Sequence, residues 1–202
     1  MGTLFHAIFS GASMGILVLA TAAFFVRFLF GSWRDDVAKG ADIVATTAAI
    51  VGIVFAIVAG LTGYYGTWGV AAVRDSMVAQ NKTLVSFALL ASYGLFVYLR
   101  LRTGAVFWKS LPLKLWSAAL VLFGFVNLVL VGSMGGSATL KGTVLDPVLW
   151  SLNINRYVSL SWGIWLNAGL IVAIVLIVAF VLMRRPGART KAGDPPSRRK
   201  AV

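Results

Sequence analysis

Apolar positions in this chain gather in long unbroken blocks, at about residues 4–30, 42–63, 83–101, 113–134 and 160–183. A helix needs roughly 20 mostly apolar residues to cross a hydrocarbon core about 30 Å thick, so the pattern predicts five transmembrane helices in an all-α membrane bundle. The third block, TLVSFALLASYGLFVYLRL, is the shortest; it closes on Arg100, with Arg102 just beyond, and both side chains are long enough to snorkel to headgroups. The first block has no basic start and runs into FFVRFLFG where a cleavage site would need small residues. It therefore reads as a permanent helix and not as a signal peptide.

Small residues mark where such helices meet, because nothing apolar is gained by leaving lipid and backbones must approach closely to pack. Ala48, Gly52, Ala56 and Gly60 follow one another at four-residue steps. They predict a small stripe along the second helix and a central place for it. Close packing is the expected role of that stripe, and a cofactor lying along the groove is the alternative. Gly11 with Gly15, and Gly132 with Gly136, form Gly-xxx-Gly pairs that are further expected packing positions.

The polar stretches between blocks are short. Residues 64–82 cannot cross again and predict a brief amphipathic helix at the interface. In residues 137–159, Leu145, Val148, Leu149 and Leu152 surround the helix-start signal Asp146-Pro147. That segment predicts an outer cap whose Trp150 and Tyr157 would suit a protein contact. Asn81-Lys82-Thr83 matches a glycosylation sequon but abuts the membrane, so it carries no weight. Residues 184–202, RRPGARTKAGDPPSRRKAV, predict a disordered basic tail resting on anionic lipid.

Charge then orients the bundle. The chain of 202 residues has 18 Lys and Arg against six acidic residues, a net charge of +12. Fourteen of the basic residues fall on one side of the predicted spans: Arg27, Arg34, Lys39, Arg100, Arg102, Lys109, Lys114 and the seven from Arg184 onward. Only Arg74, Lys82, Lys141 and Arg156 fall on the other. The positive-inside rule places the N-terminus outside and the C-terminus in the cytoplasm, which needs an odd number of spans and agrees with five. The expected setting is a cell membrane. Nucleic acid is not an expected partner, because the charge flanks membrane spans. Trp33, Trp108 and Trp116 at the inner ends, and Trp68, Trp150, Trp162 and Trp165 at the outer ends, read as interfacial belts.

Composition removes most chemistry. There is no Cys and no Glu, and one His, so thiolate sites, iron–sulfur clusters and two-histidine devices are excluded within one chain. No Asp lies inside a predicted span, Asp42 standing at the start of the second, which argues against ion-coupled transport. His6, with Ser10 four residues on along the same face, is the first candidate site residue. Asn127 and Asn167 are the others, each about seven residues deep in its span and able to bond to one another or to a ligand. A quinone hydrogen bond is open to this set. Haem b, which usually needs two axial ligands, would require His6 with Met77 or Met134.

Three stretches, AGLTGYYG (59–66), YLRLR (98–102) and VGSMGGSATLKG (131–142), occur in an order that resembles a family of small uncharacterised prokaryotic multi-helix membrane proteins sometimes grouped with cytochrome b561-like proteins. The resemblance covers about residues 42–147 and implies a compact membrane-helix fold. Two features of that family are missing. Its opening His-Pro is replaced by His6-Ala7, and its second His, ahead of the third helix, by Gln80-Asn81. The fifth helix is an addition. With rich packing signals and few reactive side chains, the expected function is a non-catalytic accessory or scaffold subunit of a larger prokaryotic membrane complex, such as a respiratory one, in contact with other membrane subunits. The alternative is a quinone- or haem-binding electron-transfer protein, or a channel or carrier for a neutral small molecule, working through His6, Asn127 and Asn167.

Overall fold

The computed structural model describes residues 2–138 except 32–33, 70 and 72–74, together with residue 147. The expected fifth helix at 160–183, the tail, Asn167 and nearly all of the expected outer cap lie outside the described residues. Four long helices make up the rest: α1 (Gly2–Phe30), α2 (Asp35–Thr62), α3 (Met77–Thr103) and α4 (Leu111–Ala138). All four are long and apolar enough to cross a membrane, and the chain is a multi-pass, all-α membrane protein over this region.

Each helix extends beyond its apolar block for local reasons. α2 begins seven residues before Asp42 because Asp35 and Asp36 sit in its first turn, where carboxylates complement the helix dipole. It also runs past Thr62 through a π-helical segment, Gly63–Trp68, in the stretch where a brief amphipathic helix at the interface was expected. α3 starts at Met77 because the Ser76 hydroxyl caps it, accepting from the Ala79 N–H at 3.4 Å. Lys82 is thereby inside a helix and not in a connection. Gly104, at a φ of +54° that L side chains rarely adopt, ends α3 and leads into a 3₁₀ segment, Gly104–Lys109.

The helices form an antiparallel ring in which α1 packs most extensively on α2 and α3 on α4, with α1–α4 and α2–α3 contacts closing it. Large apolar side chains such as Ile43, Val54 and Phe123 are half or more exposed, as lipid-facing residues are, while the core is rich in Ala20, Ala23, Ala45 and Ala49. Phe24 of α1 crosses the bundle to Phe96 of α3 in an edge-on contact at 5.3 Å. Beside it the Tyr93 hydroxyl bonds Thr21 Oγ1 at 2.6 Å.

The stripe on α2 divides. Gly52 is buried against α1, where a Cβ would lie 2.6 Å from Leu17 Cδ2, and Ala48 is buried too. Gly60 is exposed with nothing within 4 Å. Four-residue steps over-rotate a helix by about 40° each, so three steps swing the stripe about 120° away from its first contact. The face that stays on α1 follows mixed steps of three and four, through Ala45, Ala49, Gly52 and Ala59. Gly11 and Gly15 likewise face outward with nothing within 4 Å, whereas Gly132 sits directly beneath the Met14 methyl.

The two ends of the ring differ. At the end carrying Arg27, Arg34, Lys39, Arg100, Arg102, Lys109 and Lys114, Asp42 is buried and bonded on both oxygens. Arg100 Nε donates to Oδ1 at 2.8 Å, Arg100 Nη2 donates to Oδ2, and Trp108 Nε1 donates to Oδ1 at 2.9 Å. The Arg27 guanidinium lies over the Trp108 ring at 5.0 Å. Arg100 thus turns inward where its position had predicted snorkelling, and Trp108 is a hydrogen-bond donor to a buried carboxylate and more than a belt residue. Burying this ion pair is tolerable because every charged oxygen has a donor.

Candidate functional site

The opposite end is not closed in this way. A partly open cavity of about 410 Å³ lies among all four helices, walled by apolar side chains including Met14, Leu89, Leu90 and Leu128. Three of its lining residues on α2, Ile57, Gly60 and Leu61, are exposed, and α2 and α3 touch sparsely. In size it falls in the lower part of the range of about 300–1,000 Å³ typical of small-molecule sites.

Polar groups reach this cavity from three elements. α1 supplies His6, Ser10 and Ser13, the π-helical segment supplies Tyr64, and α3 supplies Lys82, Thr83 and Ser86. The spacing explains the convergence: His6, Ser10 and Ser13 recur at steps of four and three on one face of α1, as do Lys82 and Ser86 on α3. His6 Nδ1 lies 2.8 Å from the Ala59 carbonyl oxygen. A carbonyl can only accept, so Nδ1 carries the proton and Nε2 of a neutral ring is an acceptor. Gly63 makes this possible, since a Cβ there would lie 2.8 Å from both Nδ1 and Cε1 of the imidazole. Thr83 Oγ1 donates to Ala79 O at 2.8 Å and Ser86 Oγ to Lys82 O at 2.7 Å. Both hydroxyls spend their proton on their own helix and present lone pairs. The Lys82 ammonium, with three N–H bonds, is the strongest donor in the wall, and its Nζ lies where a Cβ on Gly135 would be 3.0 Å away.

Of the residues singled out from sequence, His6 lines the cavity, and so do Ala56 and Gly60 from the α2 stripe. Asn127 does not. It is buried, and its Nδ2 donates to the Phe123 carbonyl of its own helix at 2.7 Å. Lys82, Tyr64, Thr83 and Ser86 were missed as site residues. The signal for Lys82 was present, since an ionisable side chain within a membrane helix is itself a functional pointer, but its helix was expected to begin one residue later.

The described part of the cavity wall offers no facing pair of haem ligands. Among the described residues Met14 is the one methionine in the wall, and it lies on the same helix as His6, so the two cannot ligate an iron from opposite faces. Met134 is buried and is not part of the wall. No group of three or more His, Cys, Asp or Glu able to hold a metal ion occurs among the described residues. No known protein family, curated protein or solved structure matches the chain.

Proposed function

We propose that this protein is a membrane-embedded binding protein for a small amphipathic molecule that enters its cavity sideways from lipid. The observation that carries this reading is the cavity itself: about 410 Å³ of largely apolar space into which three elements direct His6, Ser10, Tyr64 and Lys82. The scaffold reading rested on rich packing signals and few reactive side chains; the convergence of several of those few on one cavity gives the small-molecule reading precedence. A carrier or an electron-transfer role with a quinone falls within it.

The positive-inside rule places the cavity in the outer half of a cell membrane, with the Asp42–Arg100 end toward the cytoplasm. The apolar block at 160–183 supplies a fifth span, and the basic tail rests on anionic lipid of the inner leaflet. Nothing in this arrangement calls for catalysis, and the protein acts by holding its ligand.

The test is extraction. The full chain purified in mild detergent should carry a stoichiometric amphiphile, detectable by mass spectrometry of an organic extract. Gly60→Phe, which puts a ring into open space at the cavity wall, should lose it while keeping its thermal stability. Equal content in both proteins, or none in either, would overturn the proposal.

A further inference from the structure

The imidazole, phenol and ammonium of the cavity stand at one end, with only serine and threonine hydroxyls deeper, and this orders any ligand within it. His6, Gly63, Tyr64 and Lys82 stand at the outer end, while Met14, Leu89, Leu90 and Leu128 line the deeper part. From Lys82 to Leu90 the wall descends about 12 Å at about 1.5 Å per residue. A molecule that fits this gradient has one polar head and one chain, since the volume leaves no room for a second long chain beside the first.

The character of the head follows from which protons the wall can offer. Thr83, Ser86 and His6 Nδ1 already donate to backbone carbonyls. Among the described residues, Lys82 is the single cationic side chain lining the cavity, and no acidic side chain lines it. An ammonium has three N–H bonds, so it can keep protein partners and still bond a ligand. In a low-dielectric setting it holds a charged acceptor more strongly than a neutral carbonyl, because charge-assisted hydrogen bonds are about twice as strong as neutral ones. Building on the binding role proposed above, we infer that the ligand is a single-chain anionic amphiphile, its carboxylate or phosphate head on Lys82 and its alkyl chain running down between α2 and α3.

The full chain in phosphatidylcholine nanodiscs should bind laurate at least about tenfold more tightly than methyl laurate, a ratio equivalent to about 1.4 kcal/mol. Dodecyl phosphate should behave like laurate. Lys82→Gln should bring the acid-to-ester ratio close to one, and Lys82→Arg should keep it well above one. If the anion comes from the bilayer, discs containing the single-chain lipid lysophosphatidylglycerol should show weakened laurate binding in the wild type but not in Lys82→Gln; if it is a free acyl anion, the two kinds of disc should agree. Equal affinity for acid and ester, a preference untouched by Lys82→Gln, or displacement of laurate by a lower concentration of decylubiquinone would overturn the anionic assignment while leaving a binding cavity. Failure of laurate, ester and quinone alike, with Gly60→Phe also without effect, would instead remove the cavity's binding role.

Discussion

Asp42 and Arg100, 58 residues apart, form a two-pronged ion pair that joins α2 to α3 at one end of the bundle. Their side chains are 12% and 20% exposed, so each offsets the other's charge where little water reaches. Breaking a buried pair by removing one partner typically costs about 3–5 kcal/mol, because the remaining charge is left buried. Arg100→Leu and Asp42→Leu should each lower stability by about that amount in detergent-phase unfolding. The double variant should lose clearly less than the two losses combined. Additive losses would show that the pair is not coupled.

Tyr93 and Thr21 make a second tie, across the diagonal from α3 to α1. Thr21 Oγ1 donates to Leu17 O at 2.9 Å, so the 2.6 Å bond between the two hydroxyls takes its proton from Tyr93. Interhelical hydrogen bonds in membrane bundles are worth about 0.6–2 kcal/mol. Tyr93→Phe should lose an amount in that range, with ring packing retained. A cycle with Thr21→Val, read by denaturation in mixed micelles, should give a double variant little worse than Tyr93→Phe alone.

The helices were legible because crossing lipid demands long apolar blocks, and each of the four described helices is built around one and extends beyond it. Their starts were less so, because caps are set by single side chains: Ser76 begins α3 six residues before its apolar block, and that shift takes Lys82 into the helix. The Asp42–Arg100 pair was hidden for a different reason. Each residue stands near the end of an apolar block, where solvation by headgroups is the ordinary expectation, and only the pairing of α2 with α3 brings them together. His6 was visible as the one imidazole in the chain. What it meets was not, because Ala59 and Gly63 carry no side-chain signal and act through a carbonyl oxygen and an absent Cβ.

Gly52 offers a test of how tightly α1 and α2 meet. A Cβ there would lie 2.6 Å from Leu17 Cδ2 and 2.7 Å from its Cγ, and Leu17 is fully buried. Overpacking a well-filled core costs about 1–3 kcal/mol or more. Gly52→Leu should therefore lose at least that much stability or fail to assemble. Val54 on the same helix is 52% exposed, so Val54→Leu should behave as wild type in expression and thermal melting. Matching behaviour of the two variants would mean that Gly52 is not at a close contact.

Gly63 provides a way to move His6 without mutating it. The methyl of Gly63→Ala would fall 2.8 Å from Nδ1 and Cε1 of the imidazole, so the ring must leave the Ala59 carbonyl and turn away from its place in the cavity wall. Losing the packing of one ring against a bound molecule, about 40 Å² of shared apolar surface at about 25 cal/mol per Å² or about 1 kcal/mol, corresponds to roughly a fivefold change in affinity. Gly63→Ala and His6→Ala should each weaken binding of the co-purified amphiphile by about that factor. The double variant should be no weaker than either alone, since both remove the same contact. Gly60→Ala adds its methyl where nothing lies within 4 Å and should bind as wild type. If Gly63→Ala binds normally while His6→Ala does not, the imidazole acts from a position other than the one fixed by Ala59, and the tautomer assigned to it falls as well.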